Sequence, residues 1–181
     1  MAEAQKPSPV KLLIGAITSC EGILIKAKVR LAKKYGPLDF QSPIIPFIWT
    51  KYYEKGMGPD LHKQFFSFQR LINPDELAKI KLYTNRLERS LSSCQSSFRT
   101  INLDPGYITA AKLILATCKN YAHRIYLTKG VFAEVTLHFQ EGSFMSQPWT
   151  YPDYKSQDYI QTFNAIRELY VRQAKRGQAP F

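Results

Sequence analysis

No run of apolar residues in this 181-residue chain approaches the roughly 20 needed to cross a bilayer as a helix, so a helical membrane protein is excluded and no membrane partner is expected. Cysteine is scarce. Cys20, Cys94 and Cys118 are odd in number, far apart and form no C-x-x-C, which excludes a zinc knuckle or a redox dithiol of that spacing. Free thiols of this kind suit a reducing compartment, and a cytoplasmic location is expected. The stretch MAEAQKPSPVK lacks the apolar core and small-residue cleavage site of a secretory signal, so none is expected. His62, His123 and His138 offer little for a His-rich metal centre, and no metal site is expected. There is no G-x-x-x-x-G-K-[ST] and no G-x-G-x-x-G, which removes the P-loop and dinucleotide signatures. H-E-x-x-H, G-x-S-x-G and RNP-type aromatic motifs are missing as well.

Acids are the other shortage: 14 stand against 25 lysines and arginines, a net charge of +11 and a pI near 9.6. A pI above about 9 is a footprint of nucleic-acid binding. The surplus is spread along the chain, however, and such a spread also serves solubility and a weak pull on polyanions. Lys26, Lys28, Arg30, Lys33 and Lys34 form the densest cluster.

What is present is enough apolar chain for one core: 45% of residues are hydrophobic and 13% aromatic. Residues 1–9 read as a flexible arm, 10–176 as a single α+β domain and 177–181 as a tail. VKLLIGAI (10–17) is a nearly continuous apolar run, the pattern of a central strand. A helix over 21–35 follows, with Leu24, Ala27, Leu31 and Tyr35 on one face and Gly36-Pro37 as its stop. The basic cluster falls mostly on its solvated side. Pro43 and Pro46 make 39–49 an edge or irregular strand. A loop over 50–59 and a strand over 62–71 come next. Asn73-Pro74-Asp75-Glu76 opens a second helix, with Leu77, Ile80, Leu87 and Leu91 buried and Lys79, Lys81, Arg86 and Arg89 outside. The serine-rich SLSSCQSS ends it. A strand over 99–103, a turn at Asp104-Pro105-Gly106 and a short apolar helix over 107–118 follow. A hairpin over 121–140 and a last helix from Ser156 to about Lys175 complete the chain, the helix burying Tyr159, Phe163, Ile166 and Tyr170. This order predicts a ferredoxin-like, split β-α-β-type antiparallel sheet, extended by the hairpin and covered by helices.

The hairpin YAHRIYLTKGVFAEVTLHF admits two registers. A two-residue turn at Lys129-Gly130 sets Ile125 opposite Glu134 and His123 opposite Thr136. A three-residue loop sets Leu127 opposite Val131, Ile125 opposite Ala133 and His123 opposite Val135. The second gathers Ile125, Leu127, Val131, Ala133, Val135, Leu137 and Phe139 on one apolar face, so burial favours it. Arg124 then faces Glu134, and Tyr126 faces Phe132. On an exposed sheet such a charge pair is worth about 0.2–1 kcal/mol. Inside a cleft it would orient a guanidinium toward a phosphate or carboxylate.

The NLDPGY stretch holds Asp104 where a strand is expected to end. It can cap a helix, hold that helix start open to an anion, or pair with Glu134 as a metal-binding or acid–base carboxylate if the fold joins them. Lys112, in the apolar TAAKLILATC, either snorkels to solvent or takes one of these carboxylates as partner. His123 suits a hydrogen-bonded core position, with a catalytic role beside Asp104 and Glu134 as the alternative. Tyr53, Tyr126 and Tyr151 are aromatics beside basic residues, a combination that suits either base stacking or loop anchoring.

KYYEKGMG, NLDPGY, AAKLILATCKNYAHRIYL, KGVFAEVTL and PWTYPDY together resemble the bacterial and archaeal family catalogued as domain of unknown function 4416, over roughly residues 10–170. The resemblance implies a single intracellular domain and assigns no catalytic role. Members are sometimes labelled GTP-binding, a label the sequence does not support, since it lacks the P-loop. Three functions stay open. The first is binding of a phosphate-bearing ligand, RNA or nucleotide, through Arg124, Lys112, Tyr53, Tyr126 and Tyr151. The second is a small hydrolase-like enzyme on Asp104, Glu134 and His123, and the third a scaffold. The cofactor is left open.

Overall fold

The computed structural model describes residues 1–92 and 99–176. Cys94, most of the serine-rich stretch and the tail 177–181 lie outside them. The apolar run near the start is β1 (Lys11–Thr18), buried along its whole length. It is buried because antiparallel strands flank it on both sides: β4 (His62–Phe68) and β5 (Asn102–Ile108). The prolines break the next segment into β2 (Leu38–Gln41) and β3 (Ile45–Pro46), both against β4. Beyond β5 come β6 (Lys112–Thr117), β8 (Val131–Gln140) and β7 (Ile125–Thr128), with β9 (Ser143–Ser146) also on β8. The order is β2-β4-β1-β5-β6-β8-β7 in one antiparallel nine-stranded sheet, and the protein is α+β as expected.

Alternation along the strands sorts the two faces. Leu12, Ile14, Ala16, Phe66, Phe68 and Leu103 pack under α1 (Glu21–Tyr35) and α3 (Leu77–Leu91). Leu13, Phe65, Ile108, Leu113 and Leu137 pack under α4 (Gln157–Arg176) through Tyr159, Phe163 and Ile166. The second helix starts as expected: the Asn73 N–H donates to Glu76 Oε2 at 2.9 Å, and a 3₁₀ turn over Pro74–Glu76 leads into α3. The loop expected over 50–59 contains one helical turn, α2 (Glu54–Met57).

The structure departs most from the sequence expectation over 104–118. Asp104-Pro105-Gly106 is no turn, Asp104 caps no helix, and the apolar stretch is β6 instead of a helix. Asp104 lies within β5, opposite Gly15. Leu113, Ile114, Leu115 and Ala116 are consecutive buried residues, and so short an apolar run satisfies strand and helix patterns alike, so periodicity alone misassigns it. Gly106 is required by a close approach: a Cβ there would stand 2.3 Å from the Ile114 carbonyl oxygen and 2.7 Å from the Leu115 side chain.

The hairpin keeps the favoured pairing at Ile125–Ala133 and Tyr126–Phe132. Its turn is nevertheless the two-residue one. Thr128 pairs Val131, Lys129 and Gly130 both have positive φ (50° and 75°), and an irregularity between Tyr126 and Thr128 restores the register. The expected apolar face is only half realised. Val131 and Leu137 are buried, but β7 is the sheet's edge, and Ile125 is 71% exposed. No helix among the described residues is long and apolar enough to cross a membrane.

A polar cleft where the sheet splits

Beyond the reach of α4, the same sheet face carries Ile17, Lys63, Asp104, Leu115 and Glu134, and these line a cleft of about 1130 Å³. Its origin is legible in β5. The ladder to β6 covers only Gly106–Ile108. Residue 105 should continue it, but proline has no N–H to give, and β5 and β6 part there. Leu103, one step further on the same side, would be left with unmet backbone groups inside the protein. Side chains from α3 replace the missing strand. The Leu103 N–H donates to Glu88 Oε1 at 2.6 Å, and Lys81 Nζ donates to the Leu103 carbonyl at 3.0 Å. Lys81 is buried, contrary to its expected place outside the helix stripe. On the β6 lip, Asn85 reaches the Cys118 sulfur at 3.2 Å.

Four ion pairs border the cleft: Lys63–Asp153 at 2.7 Å, Arg99–Glu88 at 2.6 Å, Arg124–Glu134 at 2.8 Å and Lys81–Asp104 at 3.4 Å. Lys63 is also surrounded by rings, its ammonium 4.2 Å from the Tyr154 centroid and 5.1 Å from those of Phe65 and Tyr159. Glu88 has its pKa raised by burial, against the pull of Arg99 and Lys81.

Arg124 is the most constrained base. Its Nε donates to Glu134, Nη1 to the Lys119 carbonyl at 2.9 Å and Nη2 to the Tyr151 hydroxyl at 2.9 Å. Burial lowers its pKa, and the bonds to Glu134 and Tyr151 more than compensate, leaving it raised. Glu134 is filled in turn: Oε2 also meets His123 Nε2 at 3.2 Å, and Thr136 donates to Oε1 at 3.3 Å. A guanidinium has five N–H donors; three are used here, and two have no protein partner among the described residues. Beside it, Lys119 is exposed, forms no ion pair among the described residues, and lies 4.8 Å over the Tyr52 ring. Tyr52 meets Tyr53 edge-on at 5.1 Å. Tyr53 is half-buried with its pKa raised, first by desolvation and then by Asp104.

The structure thus brings Asp104, Arg124, Glu134, Tyr53 and Tyr151 to one cleft. His123 supports from behind, its ring stacked on Trp149 at 5.3 Å while it contacts Glu134. Lys112 is exposed at the start of β6, and Tyr126 is exposed on β7 against Phe132. Neither lines the cleft. Asp104 and Glu134 lie on strands separated by β6.

Lys63, Lys81, Glu88, Arg99, Lys119 and Asp153 also line the cleft and are not among the site residues expected from the sequence. Some of these carried a signal. Lys63 is in phase with Phe65 on a buried strand face, and Lys81 and Glu88 fall four and eleven residues after Leu77, on the buried stripe of α3. A charge in phase with a core is rarely idle, because unpaired it would be costly to bury.

Fold and site define an α+β protein with a split antiparallel sheet and a charged cleft in the split. The chain belongs to the family described as domain of unknown function 4416, whose model matches residues 8–170. No curated protein and no solved structure matches it.

Proposed function

We propose that this protein binds a small phosphate-bearing ligand, a nucleotide in the first instance, in the cleft between β5 and β6. The observation that carries this is the lip where Arg124, fixed by Glu134, Tyr151 and the Lys119 carbonyl, sits beside Lys119, which forms no ion pair among the described residues. A guanidinium held at three points with two donors to spare suits the tetrahedral oxygens of a phosphate. Charge agrees. Each of the four carboxylates bordering the cleft has a basic partner, and among the described residues Lys119 and Arg89 are left over, a surplus that a phosphate monoester of about −2 would balance. Trp49, Tyr52, Tyr53 and Tyr151 add ring faces at the opening.

A concave site of this kind favours a small ligand over an RNA strand, which needs an extended basic track. Glu134 supports the hydrolase-like alternative poorly, since both its oxygens are occupied by Arg124, His123 and Thr136. Two exposed free thiols, Cys20 and Cys118, fit a reducing cytoplasm.

The test is a titration of fluorescent nucleoside monophosphate at two salt concentrations, with Arg124→Ala and a mixed-sequence single-stranded RNA alongside. Affinity should fall with salt and drop at least about tenfold in Arg124→Ala, the scale of one lost charged hydrogen bond. Unchanged affinity in that variant would remove the site from this lip. Tighter binding of the RNA than of the nucleotide would replace the small ligand with a nucleic acid.

A further inference from the structure

The four carboxylates bordering the cleft are not equivalent. Those of Glu88, Glu134 and Asp153 are 8%, 2% and 8% exposed and are held by their bases at 2.6 to 2.8 Å. Asp104 is 27% exposed, and its ammonium partner, Lys81, stands off at 3.4 Å. Asn102 fixes one oxygen, donating to Oδ2 at 2.5 Å, and so sets the carboxylate's orientation without filling it. A carboxylate offers about four acceptor positions; Asp104 uses two, on Lys81 and Asn102, and its greater exposure leaves the rest open to the cleft, whereas the other three carboxylates are buried. The cations repeat this asymmetry in reverse. Lys63, Lys81, Arg99 and Arg124 are committed to carboxylates, whereas Lys119 at the lip, like Arg89, forms no ion pair among the described residues.

The cleft therefore presents a spare cation at its mouth and a spare acceptor on its β5 wall. Tyr52 and Tyr53 bridge the two, Tyr52 under the Lys119 ammonium and Tyr53 within the field of Asp104. At about 1130 Å³ the space is far larger than an inorganic phosphate needs. Phosphate alone would leave Asp104 unmet, and a second anionic group there would be repelled by it.

Resting on the phosphate-binding function proposed above, we infer that the ligand is a phosphate monoester whose organic part carries hydroxyl or amino donors. Its phosphate sits at Lys119 and Arg124, and a donor group is received by the Asp104 carboxylate. A sugar phosphate and the ribose of a nucleotide share this chemistry.

Calorimetric titration with four probes separates the alternatives: inorganic phosphate, methyl phosphate, ribose 5-phosphate and adenosine 5′-monophosphate. Ribose 5-phosphate should bind at least about tenfold tighter than methyl phosphate, which has the phosphate but no donor. Asp104→Asn, nearly isosteric, should abolish that preference while leaving methyl phosphate bound equally well or better, because a negative charge has gone. Lys119→Ala, at an exposed position, should weaken all four probes by a similar factor. Equal binding of ribose 5-phosphate and methyl phosphate, or a preference that survives Asp104→Asn, would overturn the inference and leave the phosphate site standing. Binding of none of the four would overturn both. Tighter binding of the nucleotide than of ribose 5-phosphate would name the nucleotide as the source of the donor.

Discussion

Arg124 Nε and Glu134 Oε2 meet at 2.8 Å across the β7–β8 hairpin, with only 5% and 2% of the two side chains exposed. Removing one member of so buried a pair strands the other charge, which costs about 3–5 kcal/mol. Glu134→Ala should lose stability of that order in urea unfolding. Glu134→Gln keeps the volume and should keep the fold, yet weaken the phosphate-bearing ligand because Arg124 loses its charged anchor. The effect should vanish in an Arg124→Ala background, since Glu134 acts through Arg124. Equal losses in both backgrounds would deny Glu134 that positioning role.

Glu88 substitutes for a strand. Its carboxylate accepts the Leu103 N–H and binds Arg99, so Glu88→Ala should cost about 1–3 kcal/mol, the penalty for a buried donor left unmet. Hydrogen exchange localises the effect: the Leu103 amide should lose protection well before its neighbours in the β1 ladder. An amide equally protected in the variant would mean that another group takes over the bond.

Gly106 tests the close approach of β5 and β6. A methyl group there meets a backbone carbonyl, which cannot move aside as a side chain could. Gly106→Ala should destabilise by at least about 1–3 kcal/mol. A melting temperature within a degree of the parent would show that the strands can part without cost.

Alkaline pH should unfold the protein. Burial raises the pKa of Tyr35, Tyr53, Tyr107, Tyr154, Tyr159 and Tyr170 above the ordinary value of about 10. Above pH 10 the unfolded chain releases phenol protons that the folded one retains, so the unfolded state binds fewer protons and stability falls as pH rises. Lys11, lowered by burial against the pull of Asp39, acts in the opposite sense, as one group against six. Absorbance titration at high pH should show these six tyrosines ionising only as the fold is lost. A single phase near 10 would contradict the burial of these phenols.

The sequence by itself determined the elements whose patterns are long or strongly marked. α1 follows from its apolar face and the Gly36-Pro37 stop, β1 from an unbroken apolar run, α3 from the Asn73–Glu76 box, and α4 from the Tyr159–Tyr170 stripe. The Arg124–Glu134 pairing was equally legible, because alternation in a hairpin assigns opposite neighbours. The strand character of 112–117 was decided by tertiary structure alone, since its four consecutive buried residues, Leu113 to Ala116, carry no period. DPG, which reads locally as a turn, became a ladder terminator because its neighbours were β1 and α3 instead of solvent. The cleft belongs to the same category. It exists because Pro105 cannot donate to β6 and Glu88 and Lys81, distant in the chain, take up the groups of Leu103 that the split would have left unmet.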